Sequence, residues 1–576
     1  MDFMIELEGT VEIDQGRLLT MAQLMDLAAQ SRSRYIQLGE GEFVALTEKL
    51  HRKLNNLSTI ASQSKGRLII SPFALALLGA DDDTDELTIT EDEEVRHIRQ
   101  QIKESSTYSP EVPADLNATL REYQREGYQW MARLNKWGAG ALLADDMGLG
   151  KTIQTITFLL SKKDEGPSLV IAPASVAPNW KTEFQRFAPS LNITMLNFAA
   201  DREKVIKDAG KGDVVVTTYG LLLSVKDFIT SKKWTTICLD EAHIVKNRGA
   251  KTSAVAMKLK SRYRVMLTGT PIQNHLGELW NLFQFVNPGL LGSFESFNRR
   301  FIIPIEQYDD TEARKRLERL IKPFMLRRTN DRVARELPEK EEIYQHVDLS
   351  EEEMLVYETL RQRAENLLLA DQGSHVSLNT LAEITHLRQC ACDIRLVENA
   401  GTDNEKEGSK IVALIELLQT ILESHAAALV FSQFTSYLSL IRRALDKADI
   451  PYLYIDGSVP IKEREKMVER FQSGECPVFL ISLKAGGLGL NLTRANYVVH
   501  MDPWWNPAIE AQATDRAHRI GQKNNVTVYH LIAESTIEEK IQRMHEQKQE
   551  LVENILESTD KSYKLTGEEL LKLVHS

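Results

Sequence analysis

The chain is 576 residues long, 43% hydrophobic and 26% charged, which is too long for a single core and suits three or four domains of about 150 residues each. No apolar run approaches the roughly 20 residues of a membrane span. The opening MDFMIELEGTVEID has neither the basic nor the apolar region of a secretory signal, so a cytoplasmic chain without membrane contact is expected. The net charge is −12, but residues 1–115 hold 21 acidic and 11 basic residues, a net −10 that leaves −2 for the other 461, so the global sign excludes little about the main body. Cys238, Cys390, Cys392 and Cys476 neither make a disulfide framework nor complete a four-ligand zinc site, and reduced thiols without a structural metal are expected.

In chain order, residues 1–80 read as a small accessory α+β domain in which RYIQLGEGEFVAL, 34–46, forms a strand, a turn and a strand. Residues 81–115 read as an acidic linker: from Asp81 to Glu94, nine of fourteen residues are carboxylates, a density that usually marks a solvated tether. From about residue 120, short β-branched runs alternate with amphipathic stretches, the α/β pattern of parallel sheets covered by helices. The first series, 116–335, has expected strands at 140–145, 168–173, 193–198, 214–219, 236–240 and 263–268, with a helical insertion from about 275. Residues 336–406, rich in Leu, Glu, Arg and Gln with little strand signal, read as helical insertion and linker. The second series, 407–545, has expected strands at 427–431, 452–456, 478–482, 497–502 and 527–532. Beyond Thr536, apolar residues at 537, 541, 544, 551 and 555 predict one long helix running into a C-terminal brace over 546–576, with coiled-coil assembly as the alternative.

Three motifs carry chemistry. Asp146-Met147-Gly148-Leu149-Gly150-Lys151-Thr152 lies between the strand-like GALLAD and the helix-like TIQTITFLL, the required context of a phosphate loop. Small glycines let backbone N–H groups close around phosphates, Lys151 reaches the β- and γ-phosphates, and the Thr152 hydroxyl can ligate Mg²⁺. Asp145 replaces the first glycine of the general pattern. Asp240 and Glu241, in LDEAH, end a buried strand-like run 89 residues past Lys151. At such a strand tip Asp240 would hold the metal and Glu241 would orient and deprotonate the attacking water. In QATDRAHRIGQ, Arg516 and Arg519 are three apart on one helical face and could serve as arginine fingers, supplying positive charge to the γ-phosphate of ATP.

Together with LREYQREG around Gln124, APASVAPNW (172–180), LTGTPIQN (267–274), FSQF (431–434), SLKAGGLGLNL (482–492), DPWWNP (502–507) and HRIGQ, these motifs make residues 116–555 resemble the SWI/SNF-type translocases of helicase superfamily two. A carboxylate opening the phosphate loop, as Asp145 does, is common in helicase-type ATPases. The resemblance implies two RecA-like parallel-sheet lobes, at 116–335 and 407–545. It implies adenine recognition by Gln124, with Gly487 also among the nucleotide-binding residues, and coupling by Thr268, Gly269, Thr270 and Gln512. It further implies DNA contacts from Ser175, Thr218, Lys484, Gly486 and Trp504, and candidate contacts from Arg327 and Arg328 in FMLRRTNDRVARELPEK. A DNA groove needs amides, hydroxyls and a few cations that meet phosphates without reading bases, which suits Ser175, Lys484 and the glycines. Trp504 and Trp505 either stack on DNA or anchor their loop to the core.

The expected protein is a monomeric, DNA-stimulated ATPase that uses ATP and Mg²⁺ to track along double-stranded DNA and remodel or displace a DNA-bound protein complex. The resemblance favours a bacterial member, nucleoid-associated, and the strand-like start suggests the C-terminal motor portion of a longer chain. A strand-separating helicase is the same-class alternative, and a DNA-binding scaffold with a decayed ATPase the other. The retention of Lys151, Asp240, Glu241, Arg516 and Arg519 argues against decay. For the acidic run, the sharper alternative is a tether that mimics DNA in the motor's own cleft.

Overall fold

The computed structural model describes residues 5–545 except 8–9, 14–16, 31–33, 40–41, 49, 51–53, 55–56, 58–60, 65–66, 78–91, 147, 175, 246–250, 270–275, 309, 330–337, 371–377, 398–405, 487–489, 506 and 520. The chain divides into two compact units: Met1–Asp145 with Gly150–Arg328, and Thr329–Asn554 with the loop residues Asp146–Leu149.

The first unit is built on a seven-stranded parallel sheet, in the order Asn192–Met195, Asp213–Thr218, Ser168–Ala172, Lys233–Leu239, Lys260–Leu267, Ala141–Leu143 and Met325–Leu326. Runs such as SLVIA and VVVTT are buried along almost their whole length, as strands covered on both faces must be. The segment expected as a strand over 193–198 stops at Met195 and turns as a short 3-10 helix, Leu196–Phe198. Helices Leu276–Val286 and Thr311–Ile321 flank a run of π-helix, Asn298–Gln307, and form the expected insertion.

The accessory part of this unit has a three-stranded antiparallel sheet and two hairpins, one of them Tyr35–Gly39 with Glu42–Ala45, where the strand-turn-strand pattern falls. It shares the core of the first sheet. Phe73 packs 6.1 Å from Trp137 and 6.5 Å from Phe324, and the Arg300 guanidinium donates to the Ala61 carbonyl at 3.2 Å.

The acidic linker needs correcting. Residues 78–91 lie outside the description, but Glu93–Ser106 is a fourteen-residue helix. Asp92 caps it by accepting from the Val95 N–H at 2.8 Å, and Glu93 and Glu94 occupy the first turn, where carboxylates favour the helix dipole. The last carboxylates of the run are thus a helix start, and Val95 and Ile98 are buried on the far side.

The second unit has a six-stranded parallel sheet, ordered Lys340–Val347, Val526–Ala533, Tyr497–His500, Ala428–Ser432, Val478–Ser482 and Tyr452–Ile455. Its first strand corrects the reading of 336–406 as helix and linker. KEEIYQHV is an edge strand with mostly exposed side chains, so its charges are tolerated and its β signal is weak. The helices Glu351–Ala370 and Leu378–Cys392 follow it, as expected there. Of the expected tail helix, residues 537–545 are described and helical, with Ile537 and Ile541 fully buried; the brace over 546–576 lies outside the described residues. All four cysteines are buried and unbridged. No described helix is long and apolar enough to cross a membrane.

Candidate functional site

Parallel sheets place ligands beyond the carboxyl ends of their strands. In the first unit Ala141–Leu143 leads toward the phosphate loop, Lys233–Leu239 leads to Asp240 and Glu241, and the strand between them, Lys260–Leu267, ends at Thr268. Thr268 is buried and its N–H donates to the Leu143 carbonyl at 3.2 Å, with Gly269 half-buried beside it.

Gly150 begins the helix Lys151–Ser161 in a left-handed conformation, φ +75°, and a Cβ there would lie 2.6 Å from the Gln124 carboxamide nitrogen. Glycine therefore satisfies both the turn and the close approach of the Gln124 side chain. Gln124 is itself fixed, its Oε1 accepting from the Arg121 N–H at 3.0 Å at the start of the helix Glu122–Lys136. Lys151 Nζ donates to the Asp145 carbonyl at 2.7 Å, and Thr152 follows it, half-buried, in the first helical turn. Asp146 and Gly148 are half-buried and Leu149 is fully buried; Met147 lies outside the described residues.

Arg328 ties these segments together. Its Nη2 meets the buried Asp145 carboxylate at 2.5 Å and the Gln154 side chain at 2.8 Å, its Nε reaches Asp145 at 3.0 Å, and its Nη1 donates to the Tyr123 carbonyl. One guanidinium thus joins the residue before the phosphate loop, the helix after it and the helix that carries Gln124. Multiple charge-assisted bonds of this kind use the planar fork that only arginine offers. A side chain at Gly127 would collide with both Gln154 and Arg328. Asp145 is therefore an anchor rather than a degenerate loop residue.

Asp240 is held from three sides. Trp180 Nε1 donates to its Oδ2 at 2.7 Å, the Glu241 N–H to its Oδ1 at 2.9 Å, and the Tyr219 hydroxyl to its carbonyl at 2.7 Å. Burial, and then the neighbouring Glu241 carboxylate, push Asp240 up to about 6, against the Trp180 bond and the Lys151 charge. Glu241 has φ +47°, a left-handed conformation uncommon for a residue with a Cβ. The donors fit a hard divalent cation: a threonine hydroxyl at 152, a carboxylate at 240, and surplus negative charge that a cation would relieve. Trp180 and Tyr219 carry no catalytic signature, and sequence reasoning missed them. A buried indole N–H demands an acceptor, but nothing in the order of residues says that the acceptor lies 60 positions away.

In the second unit Arg516 is buried and its carbonyl accepts from the Leu492 N–H at 3.0 Å, tying the arginine motif to the end of SLKAGGLGLNL. Arg519 and Gln512 are half-buried. His518 bonds the Pro338 carbonyl at 2.8 Å and Gln522 the Ala495 carbonyl at 2.8 Å, so these two side chains staple the motif in place. Trp504 and Trp505 are half-buried around Arg388, whose guanidinium lies 5.6 Å and 4.5 Å from the ring centroids and donates to the Pro503 carbonyl at 2.7 Å. That geometry anchors the loop. Of the remaining candidates, Thr218 is buried at the end of its strand, and Gly486 ends the short helix Leu483–Gly486 that includes Lys484. Ser175, Thr270 and Gly487 lie outside the described residues, as does the Lys484 side chain.

Comparison with known proteins agrees with this arrangement. A model of the SNF2-related domain matches residues 123–396 and one of the helicase conserved C-terminal domain matches 409–521, together two thirds of the chain. The chain is 38% identical over 584 residues to the putative ATP-dependent helicase/translocase YwqA of Bacillus subtilis, covering 97% of this chain and 63% of that protein. It is 35% identical over 479 residues to the SWI/SNF-related matrix-associated actin-dependent regulator of chromatin subfamily A member 1 of Mus musculus, covering 79% and 45% of the two chains. It therefore spans about half to two thirds of these relatives' lengths. The solved Sulfolobus solfataricus SWI2/SNF2 ATPase core in complex with dsDNA is 36% identical, covering 81% of this chain and 99% of that one at a TM-score of 0.41. With both family models matched in order along two parallel-sheet units, the chain belongs to the SNF2-related family of helicase-like proteins.

Proposed function

We propose that this chain is an ATP-driven motor that moves along double-stranded DNA and displaces or remodels proteins bound to it. The observation that carries the ATPase reading is the Asp240–Glu241 pair at a strand tip, one carboxylate buried and raised to about 6 within reach of the Lys151 charge. Lys151 and the loop amides bind phosphates, Gln124 faces the base, and Glu241 orients the attacking water and takes its proton. Thr152 and Asp240 would hold Mg²⁺, which supplies charge neutralisation on the phosphates. Arg516 and Arg519 add positive charge to the transferred phosphoryl group in this reading. The duplex-DNA reading is supported by the SNF2-related family match and by the name helicase/translocase that the Bacillus subtilis relative carries.

The test is the rate of ATP hydrolysis without nucleic acid and with single-stranded DNA, duplex DNA or RNA. Stimulation chiefly by duplex DNA is expected, and stimulation chiefly by RNA or single strands would overturn the duplex reading. A second assay separates tracking from unwinding. Displacement of a triplex strand from intact duplex supports a translocase, whereas fork unwinding without triplex displacement supports a strand-separating helicase.

A further inference from the structure

Two of the hydrogen bonds that hold the Asp240–Glu241 pair come from stretches of the first unit that carry candidate DNA contacts, those of Ser175 and Thr218. We propose that Trp180 and Tyr219 are positioning residues that transmit the presence of duplex DNA to the hydrolytic carboxylates. The proposal deepens the duplex-DNA reading above and rests on it.

Trp180 closes the stretch APASVAPNW that contains Ser175, and it lies in the helix Ala177–Phe187 directly beyond the strand Ser168–Ala172. It is fully buried, with its ring 5.6 Å from Phe184, and its indole N–H lies 2.7 Å from Asp240 Oδ2. An indole has one donor and no acceptor, so this bond sets the rotation of the carboxylate in a single direction. The other oxygen is held at 2.9 Å by the Glu241 N–H.

Tyr219 immediately follows Thr218, and its buried hydroxyl lies 2.7 Å from the Asp240 carbonyl oxygen. That carbonyl belongs to the peptide leading into Glu241, whose φ of +47° persists only where the surroundings over-determine it. The tyrosine therefore fixes the peptide plane from which the Glu241 side chain departs. The two aromatics act on different groups, since Trp180 orients the carboxylate of Asp240 and Tyr219 orients the backbone that aims Glu241. Each sits on a different segment expected to meet DNA phosphates, and both are buried. Hydrogen bonds are directional and weaken steeply with angle, so a small displacement of either segment on gripping DNA changes the aim of the carboxylate it positions.

Coupling between binding sites is reciprocal: if DNA alters nucleotide affinity, nucleotide alters DNA affinity by the same factor, typically 5- to 150-fold, whereas the effect on hydrolysis is read separately in the rate ratio. The experiment measures duplex affinity by fluorescence anisotropy with and without a non-hydrolysable ATP analogue, beside the ratio of DNA-stimulated to basal hydrolysis. For wild type, a nucleotide effect of about tenfold is expected. In Trp180→Phe and Tyr219→Phe both ratios should fall toward one. Phe184→Leu, which thins the packing beneath Trp180 but removes neither bond, should keep the wild-type ratios even if both rates drop. Tyr219→Phe removes a single oxygen, which keeps the test open should Trp180→Phe not fold. If wild type responds to duplex DNA and both Phe variants keep its ratios, the proposal is wrong while the duplex reading stands. If wild type ignores duplex DNA, the duplex reading falls and takes this proposal with it.

Discussion

In the first unit, buried polar groups gather where strands end. Asp145 takes the Arg328 guanidinium beside the phosphate loop, and Asp240 takes the Trp180 indole while remaining next to a second carboxylate. In the second unit, buried charges sit behind loops and lock them. Lys410 pairs with Glu538 at 2.6 Å with both side chains out of water and also bonds the Met501 carbonyl, while Arg388 holds Pro503, Trp504 and Trp505. The same parallel-sheet plan thus uses buried charge in two ways. A carboxylate crowded by another, as Asp240 is, is poised for a cation or a proton, whereas one closed off by an internal cation, as Asp145 and Glu538 both are, is part of the scaffold.

The contrast can be broken at its extremes. Glu241→Gln keeps shape and removes the proposed base, so single-turnover hydrolysis should fall about 10²- to 10⁴-fold while nucleotide binding by equilibrium fluorescence persists. Arg519→Ala tests whether the second unit contributes more than scaffold. Turnover should drop on the order of a thousandfold with ATP still bound, and wild-type turnover would remove Arg519 from the catalytic set.

The two buried ion pairs sharpen the comparison. Arg328→Ala and Lys410→Ala each strand a buried carboxylate and should cost about 3–5 kcal/mol in denaturant unfolding. Only Arg328→Ala should also weaken nucleotide affinity, because only Arg328 joins the helices flanking the phosphate loop. Equal losses of nucleotide affinity would erase the distinction.

The smallest effect concerns Glu510, which burial raises from 4.5 to about 8 against the Trp504 N–H bond, with Asp502 and Glu342 adding and Arg388 opposing. A carboxyl raised in the fold contributes stability that is complete below about 4.5 and is lost as pH rises through about 8. Glu510→Gln keeps an acceptor for the Trp504 N–H. Its Tm should fall less than that of wild type between about pH 5 and 8, and parallel declines would assign the pH dependence elsewhere.

Much of the fold was legible because fully buried parallel strands must be apolar along their length: SLVIA, VVVTT and VFLIS announce themselves. KEEIYQHV did not, since an edge strand with one poorly covered face can be mostly polar. The carboxylates of Asp92–Glu94 were misread for a related reason: composition alone does not separate a solvated run from a helix cap.

At the candidate site, residue type and spacing alone pointed to the phosphate loop and the Asp240–Glu241 pair, because each is a local pattern whose chemistry requires neighbours in the chain, whereas Arg516 and Arg519 do not share the expected helical face, since the helix Pro507–Thr514 ends before them. The partners that aim those groups were decided by tertiary structure. Arg328 reaches Asp145 across 183 residues, Trp180 reaches Asp240 across 60, and Tyr219 reaches it across 21. A buried donor must find an acceptor, which sequence can anticipate, but which acceptor it finds depends on how the strands are ordered in the sheet.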